Sequence, residues 1–208
     1  MADEKGYTED NIQALDGMQH VRMRPQMYFE RCFKEQTLNA FIFESLCHAL
    51  DEYYDNLCSN IQVELYETAF KITYKSGMSL EVIKNEDFTI AEAIMTKIGA
   101  CSNMKKHLHV GHRYCNIGMA SVNAASEVCR LKTVSNHKKG IFVFEKGKTT
   151  TKLLMNDVQE ENSTELYFKL DMTLFKGLKF TYDGIRAEIE SIQSDFKGLE
   201  FKLFSHIK

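Results

Sequence analysis

The amino-acid sequence predicts an α+β fold, a two-layer sandwich in which a mixed, mostly antiparallel sheet carries its helices on one face. Several short runs alternate apolar and polar side chains, which is typical of strands with one buried face. Longer stretches place apolar residues three and four positions apart, which is typical of helices that pack on a sheet. Two-residue breaks at Glu67-Thr68 and Gly147-Lys148 favour hairpins between neighbouring strands.

The helices are predicted from apolar periodicity and from residues that begin or end a helix. The clearest pattern spans 38–58, where an apolar stripe repeats with a period near ~3.6 residues. Thr89 and Asn116 are predicted N-caps, Gly198 closes the last helix, and Pro25 ends or turns the first. The predicted helices cover residues 11–24, 38–58, 89–100, 116–128 and 183–196.

The strands are predicted from alternation and from the turn residues between the runs. Residues 101–115 are polar and rich in His and Lys, so they are predicted to form a loop. The predicted strands cover residues 61–66, 69–74, 129–135, 140–146, 149–155, 163–170 and 199–205.

Length and composition predict one domain over residues 1–208, with 1–11 as a loose N-terminal arm. The net charge of −3 gives no support for direct DNA binding. No apolar run reaches the ~20 residues of a membrane helix, and the acidic start does not resemble a signal peptide. The six cysteines form no CxxC pair, so we expect reduced thiols and a cytoplasmic protein.

Five segments, in order, resemble the ATP-binding domain of DNA gyrase B and of the equivalent ATPase chain of topoisomerase IV, a domain of the GHKL (Bergerat-fold) ATPase superfamily. The most specific segment is similar to the family pattern I-x-x-L-x-G-x-x-x-V-R-x-R-P-x-M-Y. Its matching anchors are Ile12, Leu15, Gly17, Val21, Arg22, Arg24, Pro25, Met27 and Tyr28. The other similar segments are 43–52, 91–100, 116–127 and 163–171.

The resemblance implies ATP and Mg²⁺ as ligands and assigns roles to individual residues. Glu44 lies at the position of the general base that activates water. His48 and Asp51 follow on the same face of the predicted helix, and Thr164 matches a threonine that helps to bind adenine. From the residues alone, Glu44 could equally be a surface glutamate, and Thr164 is more simply an ordinary strand threonine.

Other positions depart from the family pattern. His48 replaces the Mg²⁺-binding Asn, although Mg²⁺ prefers hard oxygen ligands. Thr73 replaces the Asp that reads adenine, and the glycine-rich segment that follows keeps only Gly77 and the apolar Met78. In the phosphate loop, which becomes HRYCNIG, Gly118 alone is retained.

Two further interpretations concern the polar loop and the arm. His107, His109, His112 and Cys115 have spacing that a soft metal ion could use, although an ordinary lid loop explains them more simply. The resemblance implies that the arm, including Tyr7 and Ile12, joins two copies in a homodimer.

The sequence therefore predicts a degenerate gyrase-B-like domain without efficient ATP hydrolysis, acting as a binding or regulatory module. The alternative is a divergent ATP-binding, ATP-hydrolysing protein that uses Glu44 as its general base. Glu44 and Thr164 favour the alternative, whereas His48, Thr73 and residues 112–117 favour the degenerate module.

Overall fold

The computed structural model describes residues 15–103 and 114–207. Its strands are β1 (Asn60–Leu65), β2 (Ala69–Tyr74), β3 (Ser126–Ser135), β4 (Lys138–Glu145), β5 (Lys148–Met155), β6 (Ser163–Leu170) and β7 (Glu200–Ser205). Its helices are α1 (Gly17–Met23), α2 (Pro25–Tyr28), α3 (Glu30–Glu35), α4 (Ala40–Glu44), α5 (Cys47–Tyr54), α6 (Ile90–Thr96), α7 (Ala100–Asn103), α8 (Gly118–Ala125) and α9 (Tyr182–Asp195). Within these two ranges, every helix is too short or too polar to cross a membrane.

The strands form one sheet in the order β5-β4-β3-β6-β2-β1-β7. The two strands β1 and β7 are parallel, and the other neighbouring strands are antiparallel. Every second side chain of β1 and β6 is buried, so one face of the sheet contacts the core and the other faces solvent. The predicted α+β sandwich with a mixed, mostly antiparallel sheet is confirmed.

The core lies between the buried face of the sheet and the central helices. Phe41 on α4, Leu50 on α5 and Val122 on α8 are fully buried there, and α8 is buried along its whole length. Arg22 on α1 holds the far end of α8, because its guanidinium donates to the Ala124 carbonyl at 2.9 Å and to the Asp171 carboxylate at 2.5 Å. Arg22, which belongs to the most specific of the five sequence segments, therefore joins α1, α8 and the residue after β6.

The predicted strands are all present, with ends shifted by a few residues, but three predicted helices are corrected. The helix predicted over 89–100 ends at Thr96, and the separate helix α7 (Ala100–Asn103) occupies the start of the predicted loop over 101–115. The helix predicted over 38–58 is divided into α4 and α5 at Ser45 and Leu46. The Ser45 hydroxyl is buried and donates to the Phe41 carbonyl at 2.8 Å, which competes with regular helical bonding at the break.

A further correction concerns both ends of α8, because residues 126–128, predicted as the end of this helix, belong to β3. The prediction placed its start at Asn116, but the N-cap position is Ile117, whose side chain offers no capping oxygen. Thr89 behaves as predicted, because its hydroxyl accepts a bond from the Glu92 N–H at 3.1 Å at the start of α6. Pro25 is the first residue of α2, where its missing N–H costs nothing.

Candidate functional site

A cavity of about 700 Å³ opens between α5, the segment after β2, α6 and the end of β3. It collects three of the residues that the resemblance singled out, His48 and Asp51 from α5 and Gly77 from the segment after β2. Its volume is in the range of cavities that hold small organic ligands. The described residues that line it are Cys47, His48, Asp51, Glu52, Leu57, Lys75, Ser76, Gly77, Ser79, Ile83, Ile90, Ala93, Ile94, Ala100, Cys101, Ser135, Asn136 and Asn162.

The imidazole of His48 is engaged by neighbouring side chains on both sides. Its Nδ1 lies 3.1 Å from the Tyr74 hydroxyl, and its Nε2 lies 4.0 Å from Glu52 Oε1. Burial raises the pKa of Tyr74 well above its usual range, so the phenol keeps its proton and can donate it to Nδ1. Both ring nitrogens of His48 are thus directed at side chains of the protein.

Glu44 does not line this cavity. It borders a smaller one of about 260 Å³ near α2 and α3, and its Oε2 accepts bonds from the backbone N–H groups of Ile117 at 2.9 Å and Gly118 at 3.1 Å. Glu44 thus caps α8 from another helix, in the role that the sequence assigned to Asn116. Gly118 has a φ of +73°, a conformation that glycine adopts at little cost.

Burial raises the pKa of the Glu44 carboxyl above its usual value, and the N–H bonds from the start of α8 offset only part of this effect. The side chain is half-buried. A general base needs such a raised pKa, but it also needs free access to its water. Here one carboxylate oxygen is occupied by two backbone donors.

Thr73 lies away from the cavity. Neighbouring residues of a strand point to opposite faces, and Tyr74 points from β2 toward α5 and His48. Thr73 therefore lies on the solvent face, between Gln62 of β1 and Glu165 of β6. The buried, inward-facing side chain at this end of β2 is Tyr74.

Thr164 and Met78 hold the segment after β2 against the sheet rather than facing the cavity. The fully buried Thr164 hydroxyl donates to the Ser76 carbonyl at 2.6 Å. The Met78 N–H donates to the Thr133 hydroxyl at 2.8 Å, and the Met78 side chain is buried in the core. Both residues give this segment a fixed position at the cavity wall.

Gly77 has a steric role in the same segment. A Cβ added there would come within 2.1 Å of the Val134 carbonyl oxygen. Only glycine lets the segment pass so close to β3. This packing explains the glycine at position 77 without a role in ligand binding.

Sequence reasoning missed Tyr74, Glu52 and Ser76. The Ser76 hydroxyl donates to Glu52 Oε2 at 2.7 Å, which joins the wall of the cavity to α5. Glu52 follows His48 by four positions and so shares its helix face, a signal that the sequence contained. Nothing in the sequence indicated Ser76.

The metal hypothesis stays a prediction, because His107, His109 and His112 lie outside the described residues. Among the residues that are described, no group of three or more His, Cys, Asp and Glu side chains could hold a metal ion. Cys115 is buried and its thiol donates to the Phe43 carbonyl at 3.5 Å. Burial, followed by a contact with the Cys47 thiol, raises the pKa of Cys115 well above its usual range.

Tyr7 and Ile12, the arm residues assigned to a homodimer, also lie outside the described residues.

Comparison with known proteins gives the same relatives at the level of sequence and of structure. The chain is 26% identical to the DNA gyrase B protein of Rickettsia typhi, over 98% of this chain and 26% of that protein. It is 25% identical to the DNA gyrase B protein of Clostridium acetobutylicum, over 95% of this chain and 31% of that protein. It is 24% identical to the type 2 topoisomerase B protein of Aquifex aeolicus, over 89% of this chain and 24% of that protein. The chain thus spans about a quarter to a third of the length of these relatives. No protein-family model matches it.

Among solved structures, the chain is similar to the 43K ATPase domain of Thermus thermophilus gyrase B, crystallised in complex with an aminocoumarin. The TM-score is 0.69 at 25% sequence identity, over 93% of this chain and 50% of that one.

Proposed function

Because the chain is a gyrase-B-like domain of the GHKL type, related to the ATPase subunits of type II topoisomerases, we propose that it is a degenerate member that does not hydrolyse ATP efficiently and acts as a binding or regulatory module. The main support is the capping of α8 by Glu44. The two backbone N–H groups at the start of this helix both donate to the Glu44 carboxylate. The resemblance implies two separate roles for these groups in the related ATPases. The carboxylate activates water, and the backbone N–H groups of the loop hold phosphate.

In this chain the Glu44 carboxylate and the N–H groups of Ile117 and Gly118 bind each other, so neither is available for its role in ATP hydrolysis. A phosphate group that approached the Ile117 and Gly118 N–H groups would have to displace Glu44, and both anions would compete for the same donors. A carboxylate that left its donors to activate water would leave those N–H groups unpaired, which costs about 1–3 kcal/mol for buried groups.

The residues present do not fit a magnesium–nucleotide pair. His48 contacts Tyr74 through one ring nitrogen and faces Glu52 with the other, so both nitrogens are directed at protein groups. Thr73, assigned to adenine, lies on the far face of the sheet. We therefore derive no catalytic step through Mg²⁺ or ATP.

Retention of Glu44 favours the alternative, a divergent ATPase that uses this residue as its general base. The two functions differ in what nucleotide does to the protein. A ligand at 100 times its dissociation constant raises the free energy of unfolding by about 2.7 kcal/mol. A true nucleotide site therefore gives a clear rise in melting temperature with millimolar ATP and Mg²⁺.

The test combines thermal unfolding, calorimetric titration and phosphate release with ATP and Mg²⁺, using the ATPase domain of Thermus thermophilus gyrase B as a positive control. We expect no magnesium-dependent stabilisation, no binding heat and no phosphate release above that of a Glu44→Ala variant. Magnesium-dependent binding together with phosphate release that Glu44→Ala abolishes would establish the divergent ATPase instead.

A further inference from the structure

The strand β7 lies at one edge of the described sheet, beside β1, and we propose that a second copy of this chain pairs with this edge in an antiparallel, two-fold arrangement. The product is a homodimer in which the two sheets are continuous. This inference goes beyond the proposed function and does not rest on it, because none of the described residues that line the cavity of about 700 Å³ belongs to β7.

The two edges of the sheet differ in how they are protected against pairing with another chain. At the opposite edge, β5 is interrupted by a register shift, and its Lys152, which lies opposite the buried Phe142, has its Nζ 2.8 Å from Glu92 Oε2. Bulges and inward-pointing charges are features that keep edge strands from pairing. The register of β7 with β1 is unbroken from Glu200 to Ser205, so β7 is a regular template for another strand.

The hydrogen bonds between β7 and its neighbour show which backbone groups of β7 face outward. The N–H groups of Glu200 and His206 donate toward β1, to carbonyl oxygens 2.9 and 2.8 Å away. Backbone groups alternate in direction along a strand, so the N–H and carbonyl groups of Phe201, Leu203 and Ser205 point away from β1. An added strand binds through outward groups of this kind.

The side chains of β7 select one register for two copies. With Leu203 on the two-fold axis, the residues with outward backbone groups lie opposite one another and exchange hydrogen bonds. On the solvent face, Lys202 then lies opposite Phe204 of the second copy, and Glu200 lies opposite His206 of the second copy. A cation beside an aromatic ring and a carboxylate beside an imidazole are favourable neighbours. Moving the axis to Lys202 would oppose two lysines, and moving it further in the same direction would shorten the paired segment.

Phe204 supplies apolar surface to the same contact. Its side chain is 46% exposed although it is large and apolar. Pairing with a second β7 would remove part of this surface from water, which favours association in proportion to the area buried. One pair of short strands is nevertheless a small interface, so we expect a weak dimer that dissociates on dilution.

The first experiment measures the dimer dissociation constant by analytical ultracentrifugation over a concentration series. Ser205→Pro removes an outward N–H that a single copy does not use, a change that edge strands tolerate, whereas the matched Ser205→Ala keeps this N–H. We expect Ser205→Pro to raise the dissociation constant at least about tenfold, because both copies lose a hydrogen bond, and Ser205→Ala to leave it unchanged. A wild type that stays monomeric at millimolar concentration, or a Ser205→Pro dimer as tight as that of Ser205→Ala, overturns the proposal.

A charge exchange tests the register and does not require a proline in the strand. Phe204→Lys places a lysine opposite Lys202 of the second copy, and we expect it to weaken the dimer about tenfold, because the two-fold axis repeats the repulsion. Adding Lys202→Glu to Phe204→Lys places opposite charges across the interface, and we expect it to restore the dimer. A dimer that Phe204→Lys does not weaken, or that the second change does not restore, contradicts this register.

Amide hydrogen exchange, followed by NMR, distinguishes a second copy from another part of the same chain at this edge. We expect the Lys202 and Phe204 amides, which point toward β1, to exchange slowly at every protein concentration. The Phe201, Leu203 and Ser205 amides should exchange fast when the protein is dilute and slowly when it is concentrated. Slow exchange of these three amides in the monomer would mean that another segment of the same chain covers the edge, and it would overturn the proposal.

Discussion

Glu44 is the residue whose structural and catalytic roles can be separated most directly. Its carboxylate caps α8 through Ile117 and Gly118, so Glu44→Ala leaves two N–H groups without their partner. We expect this change to lower the free energy of unfolding by about 1–2 kcal/mol, as for the loss of an N-cap. Glu44→Gln keeps an accepting oxygen and should cost less. Urea unfolding of the two variants measures the difference, and equal losses would show that the cap does not depend on the accepting oxygen.

Glu44 also makes the free energy of unfolding depend on pH. The sign is opposite to that of a carboxylate in a surface salt bridge, whose pKa is lowered. Burial raises the pKa of Glu44 above its usual value of 4.5, so just above that pH the folded state holds the proton more tightly than the unfolded state does. The free energy of unfolding therefore falls as the pH rises through this window. We expect the difference in stability between the wild type and Glu44→Gln to shrink from pH 4.5 toward neutrality, as followed by urea unfolding. A difference that grows with pH would mean that the N–H donors outweigh burial.

At the scale of elements, the segment after β2 is held by close packing against β3. Gly77→Ala places a Cβ 2.1 Å from the Val134 carbonyl oxygen, so the segment must move away from the strand. We expect a loss of about 1–3 kcal/mol, typical of overpacking, measured by thermal or urea unfolding. Gly177→Ala is the matched control, because a Cβ there meets nothing within 4 Å and only its φ of +78° is strained. A loss at Gly77 no larger than at Gly177 would contradict the packing argument.

The elements also show what the sequence could predict. Alternation and helical periodicity predicted the strands and the α+β class, because burial on one face leaves a local pattern in the sequence. The break between α4 and α5 was missed, because it depends on how a buried Ser45 hydroxyl bonds a carbonyl rather than on periodicity. The cap of α8 was assigned to Asn116, because the true partner, Glu44, is distant in sequence. The resemblance assigned Thr73 to adenine without indicating its face of the sheet, and an aligned motif alone does not fix that face because successive side chains of a strand alternate.

At the scale of the whole molecule, the six cysteines are all unoxidised thiols and all are buried. Burial raises the pKa of the Cys32 and Cys58 thiols to about 12 and that of Cys129 well above its usual value of 9.0. A buried neutral thiol reacts slowly with alkylating reagents. We expect labelling of Cys32, Cys58 and Cys129 to follow global unfolding, as measured by mass spectrometry across a urea series. Labelling of these three residues well before the unfolding transition would indicate local opening instead.

The same burial predicts how the molecule responds to alkali. As the pH rises above the usual value of 9.0, the Cys129 thiol ionises in the unfolded chain before it does in the fold, so the folded state holds up to one more proton and stability falls by up to about 1.4 kcal/mol per pH unit. Burial alone shifts this pKa, since Cys129 lies on β3 with no exposed surface. Cys129→Ala should therefore flatten the alkaline slope of the free energy of unfolding by this amount, although it lowers stability at neutral pH by removing packed atoms. Val134→Ala, a change at another fully buried position of the same strand, should lower stability at every pH and leave the slope unchanged. If both variants keep the wild-type slope, Cys129 ionises in the folded state as easily as in the unfolded chain, and the sheet does not exclude water from this thiol.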